Sequence, residues 1–155
     1  VVKAIEYFAD NTHFYVVQEL CTGPDLFDYA LSEEKKHGLV SEKAASIILR
    51  QCLKAVICCH SNGYIHRDIK PENFMLTGRD NTVKMIDFGV ATRFFSTEQL
   101  TRFAGTLDYM APEMLQNAKY SFEADLWSLG VLFFVLLAIE HLLPEDRAKK
   151  TKMLR

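Results

Sequence analysis

His66-Arg67-Asp68-Ile69-Lys70-Pro71-Glu72-Asn73 crowds carboxylates, cations, an imidazole and an amide into one short run with a proline inside it. Proline has no N–H and cannot continue a helix, so the run reads as a loop. Just upstream, Ser41 opens a helical pattern in which Ala44, Ile47, Ile48, Leu53, Val56 and Ile57 recur as the apolar face. Ser61-Asn62-Gly63 closes it, with glycine suited to the left-handed closing position. Downstream come short β-like pieces at 64–65, 74–76 and 83–86, then MIDFG at 85–89, GTLDYMAPE at 105–113 and DLWSLG at 125–130. Taken singly, Asp68 suits a turn, Asn73 a capped loop and Asp87 an Asx turn at a strand end.

The flanks complete the frame. Residues 2–8 and 13–20 are rich in β-branched and aromatic side chains and are joined by Ala9-Asp10-Asn11, which predicts an antiparallel hairpin. Thr22-Gly23-Pro24 breaks the chain, and Asp25 caps a short helix with apolar positions Leu26, Phe27, Ala30 and Leu31. Residues 88–110 lack sustained periodicity, and a loop that long inside a compact unit is usually functional. Residues 122–138 read as a helix apolar nearly all round, hence buried.

Composition narrows the classes. Apolar residues make up 49% and charged residues 25%, which suits one globular core, and a net charge of −2 argues against a nucleic-acid surface. The basic cluster Arg147, Lys149, Lys150, Lys152 and Arg155 reads as a solvated end. No leader or membrane span is expected: the opening carries Glu6 and Asp10, and the apolar run at 129–138 falls short of the roughly 20 residues a span needs. Cys21, Cys52, Cys58 and Cys59 lack zinc spacing, so reduced thiols and a cytoplasmic location are expected. His60 beside Cys59 reads as a packed helix end rather than a ligand pair.

The four motifs, in this order and at these separations, closely resemble the eukaryotic Ser/Thr protein kinases over about residues 2–138. The resemblance implies an α+β fold, mostly the helical C-terminal lobe plus a remnant β-hairpin of the N-terminal lobe. Residues 1–21 would be hairpin and hinge, 22–138 part of the large lobe, and 139–155 a divergent tail. It also implies transfer of the terminal phosphate of ATP, with Mg²⁺, to Ser or Thr of protein substrates. Asp68 would orient the attacking hydroxyl and accept its proton, Lys70 would touch the transferring phosphate, and Thr106 would hydrogen-bond both. Asn73 and Asp87 would bind the metal.

By the same resemblance, Glu19 and Cys21 offer the backbone groups that read adenine, Gln18 stands at the gatekeeper, Met75 floors the purine pocket and Asp25 lies near the ribose. His66 and Phe88 would pack together, Arg67 would pair with a phosphate on the loop, and Asp125 would hold the catalytic-loop backbone. Phe74 after PEN and Arg102 before Thr106 are similar to the calcium/calmodulin-dependent group, above all the calcium-dependent kinases of plants and protists. Calcium-sensor regulation is implied by that group alone. Ser96, Thr97 and Thr101 remain phosphorylation candidates without an obligatory phosphate, and acidic Asp25 and Glu72 suggest substrates with upstream arginine.

The sequence also departs from the family. The glycine-rich phosphate loop, the strand lysine and its glutamate partner do not occur, IEHLLPEDRAKKTKMLR matches no family element, and Glu113 lacks its partner. The 155-residue polypeptide is therefore expected to be a fragment that binds Mg·ATP weakly. An inactive, pseudokinase-like scaffold is the competing reading. A small-molecule phosphotransferase is disfavoured by the APE segment and the Gly-Thr pair.

Overall fold

A computed structural model describes residues 1–78, 80–95 and 100–138. Ser96, Thr97 and the basic tail lie outside the described residues. The order is β1 (Ala4–Ala9), β2 (Phe14–Gln18), α1 (Leu26–His37), α2 (Glu42–Ser61), β3 (Tyr64–Ile65), β4 (Phe74–Thr77), β5 (Thr82–Met85), β6 (Thr92–Arg93), α3 (Pro112–Leu115) and α4 (Glu123–Leu137). This is an α+β fold with more helix than strand, and its strands lie in three antiparallel pairs, β1–β2, β3–β6 and β4–β5.

Local chemistry sets the helix ends. The Asp25 carboxylate accepts the Asp28 N–H, and the Ser41 hydroxyl accepts the Ala44 N–H, each satisfying a donor the first helical turn leaves open. Helix α1 stops at Gly38, whose φ of 81° lets its N–H reach back to the Glu34 carbonyl. At the end of α2, Gly63 takes the left-handed conformation, with φ of 76°, and its N–H returns to His60.

One core joins α1, α2, β4, β5 and α4 through Leu26, Ile48, Cys52, Phe74, Met85 and Leu132, all buried. A smaller cluster packs Ile65, Met110, Met114, Tyr120 and Ala124 beneath the loops.

Two helix faces differ from the sequence expectation. The buried stripe of α2 is Ala45, Ile48, Cys52, Ala55, Val56 and Cys59, while Ile47 and Ile57 are exposed. The helix advances about 100° per residue, so Ile47 and Ile57 fall on the flanks of a stripe built partly from alanine and cysteine. Helix α4 is not buried all round. Leu129, Leu132 and Leu136 face the core, but Leu126, Trp127 and Phe134 are exposed, because the described residues pack against one side only.

Candidate active site

Two ribbons bracket the 66–73 loop. Pairing of β4 with β5 sets Phe74 opposite Met85, and the Ile86 N–H donates to the Asn73 carbonyl at 2.9 Å. Position 87 thus begins beside position 73. Pairing of β3 with β6 sets Ile65 opposite Thr92, drawing the chain after Phe88 back against the start of the loop.

Asp125, 1% exposed on α4, anchors the loop from below. Its Oδ2 accepts the His66 N–H and its Oδ1 the Arg67 N–H, both at 2.8 Å. The His60 Nε2 lies 2.8 Å from the same Oδ2. Arg67 has φ of 70°, a left-handed conformation that costs about 1–3 kcal/mol for a side-chain-bearing residue. The bond from its N–H to a buried carboxylate opposes that cost. His66 is also buried and packs edge-on to Phe88, ring centres 5.0 Å apart. One tautomer satisfies both its nitrogens: Nε2–H donates to the Ile86 carbonyl and Nδ1 accepts the Asp68 N–H.

Above this floor, Asp68, Lys70, Asn73 and Thr106 form a closed network. The Thr106 hydroxyl donates to Asp68 Oδ1 at 2.7 Å, and Lys70 Nζ reaches Thr106 Oγ1 at 2.8 Å and Asp68 Oδ2 at 2.9 Å. The Asn73 amide donates to the Asp68 carbonyl at 2.7 Å and to Oδ2 at 3.0 Å. Burial pushes the Asp68 carboxyl up. The Thr106 hydroxyl, the Lys70 ammonium and the Asn73 amide outweigh that push and hold it below its ordinary value. Asp68 is therefore a carboxylate at neutral pH.

Thr106 reaches Asp68 because Gly105 lies flat on the loop. Gly105 has φ of 104°, and a Cβ there would stand 2.1 Å from the Arg67 carbonyl oxygen. Only glycine permits that approach.

Asp87 is less tightly tied. It has φ of 57°, is exposed, and its Oδ1 accepts the Gly89 N–H at 3.0 Å, an Asx turn. Its carboxylate makes no hydrogen bond or ion pair to Asp68 or Asn73; the link runs through the neighbouring backbone. Asn73 commits its amide nitrogen to Asp68, which leaves its Oδ1 as an oxygen donor, and Asp87 keeps Oδ2. Such hard oxygens suit Mg²⁺ chemically.

Of the remaining residues, Asp25 is the one set beside Met75. Gly23 N–H donates to the Leu76 carbonyl and Leu76 N–H to the Pro24 carbonyl, and Asp25 bridges Met75. This zips 23–25 onto β4 and sets Asp25 beside Met75. The Asp25 Oδ1 is engaged in capping α1. Gln18 is exposed, opposite Ala4. The Glu19 carboxylate pairs with Lys84 Nζ at 2.9 Å and accepts the Lys3 N–H, which lowers its pKa. No backbone hydrogen bond occupies the Glu19 carbonyl or the Cys21 N–H among the described residues.

Arg67 is engaged by two neutral oxygens. Its guanidinium donates through Nε and Nη2 to the Val90 carbonyl and through Nη1 to the Tyr120 hydroxyl. Tyr120 and the His60 contact escaped the sequence reading: a tyrosine bonded to a backbone carbonyl leaves no pattern in a single sequence. A cleft of about 240 Å³, lined by Val1, Gln51, Lys54, Ala55, Cys58 and Val83, contains none of these site residues.

A model of the protein kinase domain matches residues 1–155. The chain is 40% identical over 139 residues to calcium-dependent protein kinase 5 of Plasmodium berghei, covering 88% of this chain and 24% of that protein. It is 41% identical over 139 residues to a CDPK-related protein kinase of Daucus carota, covering 88% and 22%. Against calcium/calmodulin-dependent serine/threonine-protein kinase 1 of Oryza sativa subsp. japonica it is 38% identical over 139 residues, again covering 88% and 22%. The chain thus spans less than a quarter of the length of these relatives.

Proposed function

The chain belongs to the protein kinase domain family, and on that premise we propose that it carries the catalytic centre for moving the terminal phosphate of ATP to Ser or Thr of a protein. The observation that carries this reading is the Asp68–Lys70–Asn73–Thr106 network, in which a depressed carboxylate, a lysine and a threonine hydroxyl meet within 3.0 Å. Asp68 orients the substrate hydroxyl and accepts its proton as the new O–P bond forms and the bond from the terminal phosphorus to the bridging oxygen breaks, releasing ADP. Lys70 lends positive charge to the transferring phosphoryl oxygens, and Thr106 keeps the lysine and the aspartate in register. Asn73 and Asp87 hold Mg²⁺, which when bound neutralises charge on the phosphates.

On this reading residues 1–21 form hairpin and hinge and 22–138 part of the large lobe. Adenine is read by the Glu19 carbonyl and the Cys21 N–H, with Met75 beneath, Gln18 behind and Asp25 by the ribose. Exposed Glu72, one residue before Asn73, supports a preference for upstream arginine. The kinase names of the relatives support calcium-linked control through regions outside this chain. A cytoplasmic site of action is the reading that four free cysteines support.

No glycine-rich phosphate loop occurs in these 155 residues, so the test is a single turnover with protein in excess over radiolabelled ATP and a basic Ser/Thr peptide. Mg²⁺-dependent label in phosphoserine or phosphothreonine is expected. Label on tyrosine, or no more label than Asp68→Asn gives, contradicts the proposal and favours a non-catalytic scaffold.

A further inference from the structure

The segment after β6 returns to the catalytic loop at 100–106, and one buried side chain outside every motif holds it there. Tyr120 is 5% exposed and sits in the cluster with Ile65, Met110 and Met114. Its backbone N–H donates to the Leu100 carbonyl at 3.0 Å. Its hydroxyl donates to the Arg102 carbonyl at 2.7 Å and accepts from Arg67 Nη1 at 3.4 Å. The same stretch then lays Gly105 on the Arg67 carbonyl and Thr106 on Asp68.

We propose that Tyr120 is a positioning residue for phosphotransfer: its hydroxyl joins Arg67 of the catalytic loop to the Arg102 backbone and thereby sets Thr106 against Asp68. This inference rests on the phosphotransfer reading of Asp68.

The chemistry favours a clamp made without a phosphate. A guanidinium has five N–H donors and no acceptor, so when half-buried it must find oxygens. Here the Val90 carbonyl and the Tyr120 hydroxyl supply them. The hydroxyl is well suited to a relay, because it accepts from Arg67 and donates to Arg102 at the same time. Only the main chain of Arg102 is used, so the clamp does not depend on which side chain stands there.

Tyr120→Phe removes one oxygen and keeps the ring in its cluster. The full chain is compared with this variant at a temperature where both are folded. Amide hydrogen exchange at 101–106 is expected to accelerate about tenfold, the effect of losing roughly one net hydrogen bond, while the core of α2 stays protected as before. In single turnover the rate at saturating ATP is expected to fall about tenfold with the ATP concentration for half-maximal rate within about twofold, since the hydroxyl touches no nucleotide. A generally loosened protein would instead lose protection in α2 as well. Unchanged exchange at 101–106, or a variant as fast as the parent, overturns the proposal. A parent chain with no turnover sinks the phosphotransfer reading instead, and the exchange result, which needs no turnover, then decides the clamp alone.

Discussion

The β1–β2 hairpin and the 66–73 loop invert the usual expectation that regular structure is fixed and loops are loose. Every residue of both strands is exposed, with Phe14 at 89% and Tyr7 at 83%, and the hairpin is held by its own ladder, by Glu19 and, at its base, by buried Val2, whose N–H donates to the Met85 carbonyl. The loop has almost no regular structure, yet His66, Ile69, Pro71 and Asn73 are buried and its backbone hangs on the Asp125 carboxylate. Order here follows burial and satisfied hydrogen bonds, not secondary-structure type. On the phosphotransfer reading proposed above, the difference also accounts for chemistry carried by the loop: side chains fixed from below can present fixed atoms above.

The sharpest way to break that contrast is to remove the charge the loop presents. Asp68→Asn is expected to lower phosphotransfer about a thousandfold, the scale of a positioned general base, with circular dichroism unchanged. Loss of less than about tenfold would mean the loop is fixed for some other purpose. The acid dependence follows the same group. Because its folded pKa is depressed, the stabilisation it contributes is fully present above about pH 4, the unfolded carboxyl range, and is lost as pH falls through the lower folded value.

Removing the anchor tests the floor. Asp125→Ala leaves the His66 and Arg67 N–H groups without their acceptor and is expected to cost about 3–5 kcal/mol in urea unfolding. A change below about 1 kcal/mol would mean that the loop holds itself.

Thiol reactivity compares buried and open faces of α2. Burial pushes the Cys52 thiol up to about 12 and, with Cys58 and Asp125 nearby, the Cys59 thiol up to about 11. Only thiolates alkylate readily, so at pH 8 iodoacetamide should modify exposed Cys58 well before either, by mass spectrometry of timed samples. Equal rates would show that the helix face is not packed.

The smallest effect belongs to the hairpin. Phe14→Thr is expected to change stability by less than about 0.5 kcal/mol in the same urea titration. A loss several times larger would show that the exposed strand carries hidden packing.

Much of this was legible from residues alone, and for local reasons. The Asp25 and Ser41 caps, the glycine closing α2, the hairpin turn and the strands flanking the loop depend on neighbours a few positions away. The stacking of His66 on Phe88 and the hold of Asp125 on the loop backbone came instead from resemblance, because they join residues 22 and about 60 positions apart. The exposed sides of α2 and α4 were misjudged because apolar content does not tell a helix how many neighbours it has. Tyr120 was missed because its partners are a guanidinium and two main-chain carbonyls. The Asp87 carboxylate lies between these cases: its Asx turn is a local signal, and its proposed part in holding a metal came from resemblance.

Convergence of Asp68, Asn73 and Asp87 on one metal–nucleotide site is the central claim, and paramagnetic broadening reads it directly. Mn²⁺ titrated with ATP into isotope-labelled protein should broaden the Asn73 side-chain amide and the Asp87 and Asp68 backbone amides first, leaving α1 sharp. Broadening that begins elsewhere, with Asn73 and Asp87 unaffected, would contradict the account.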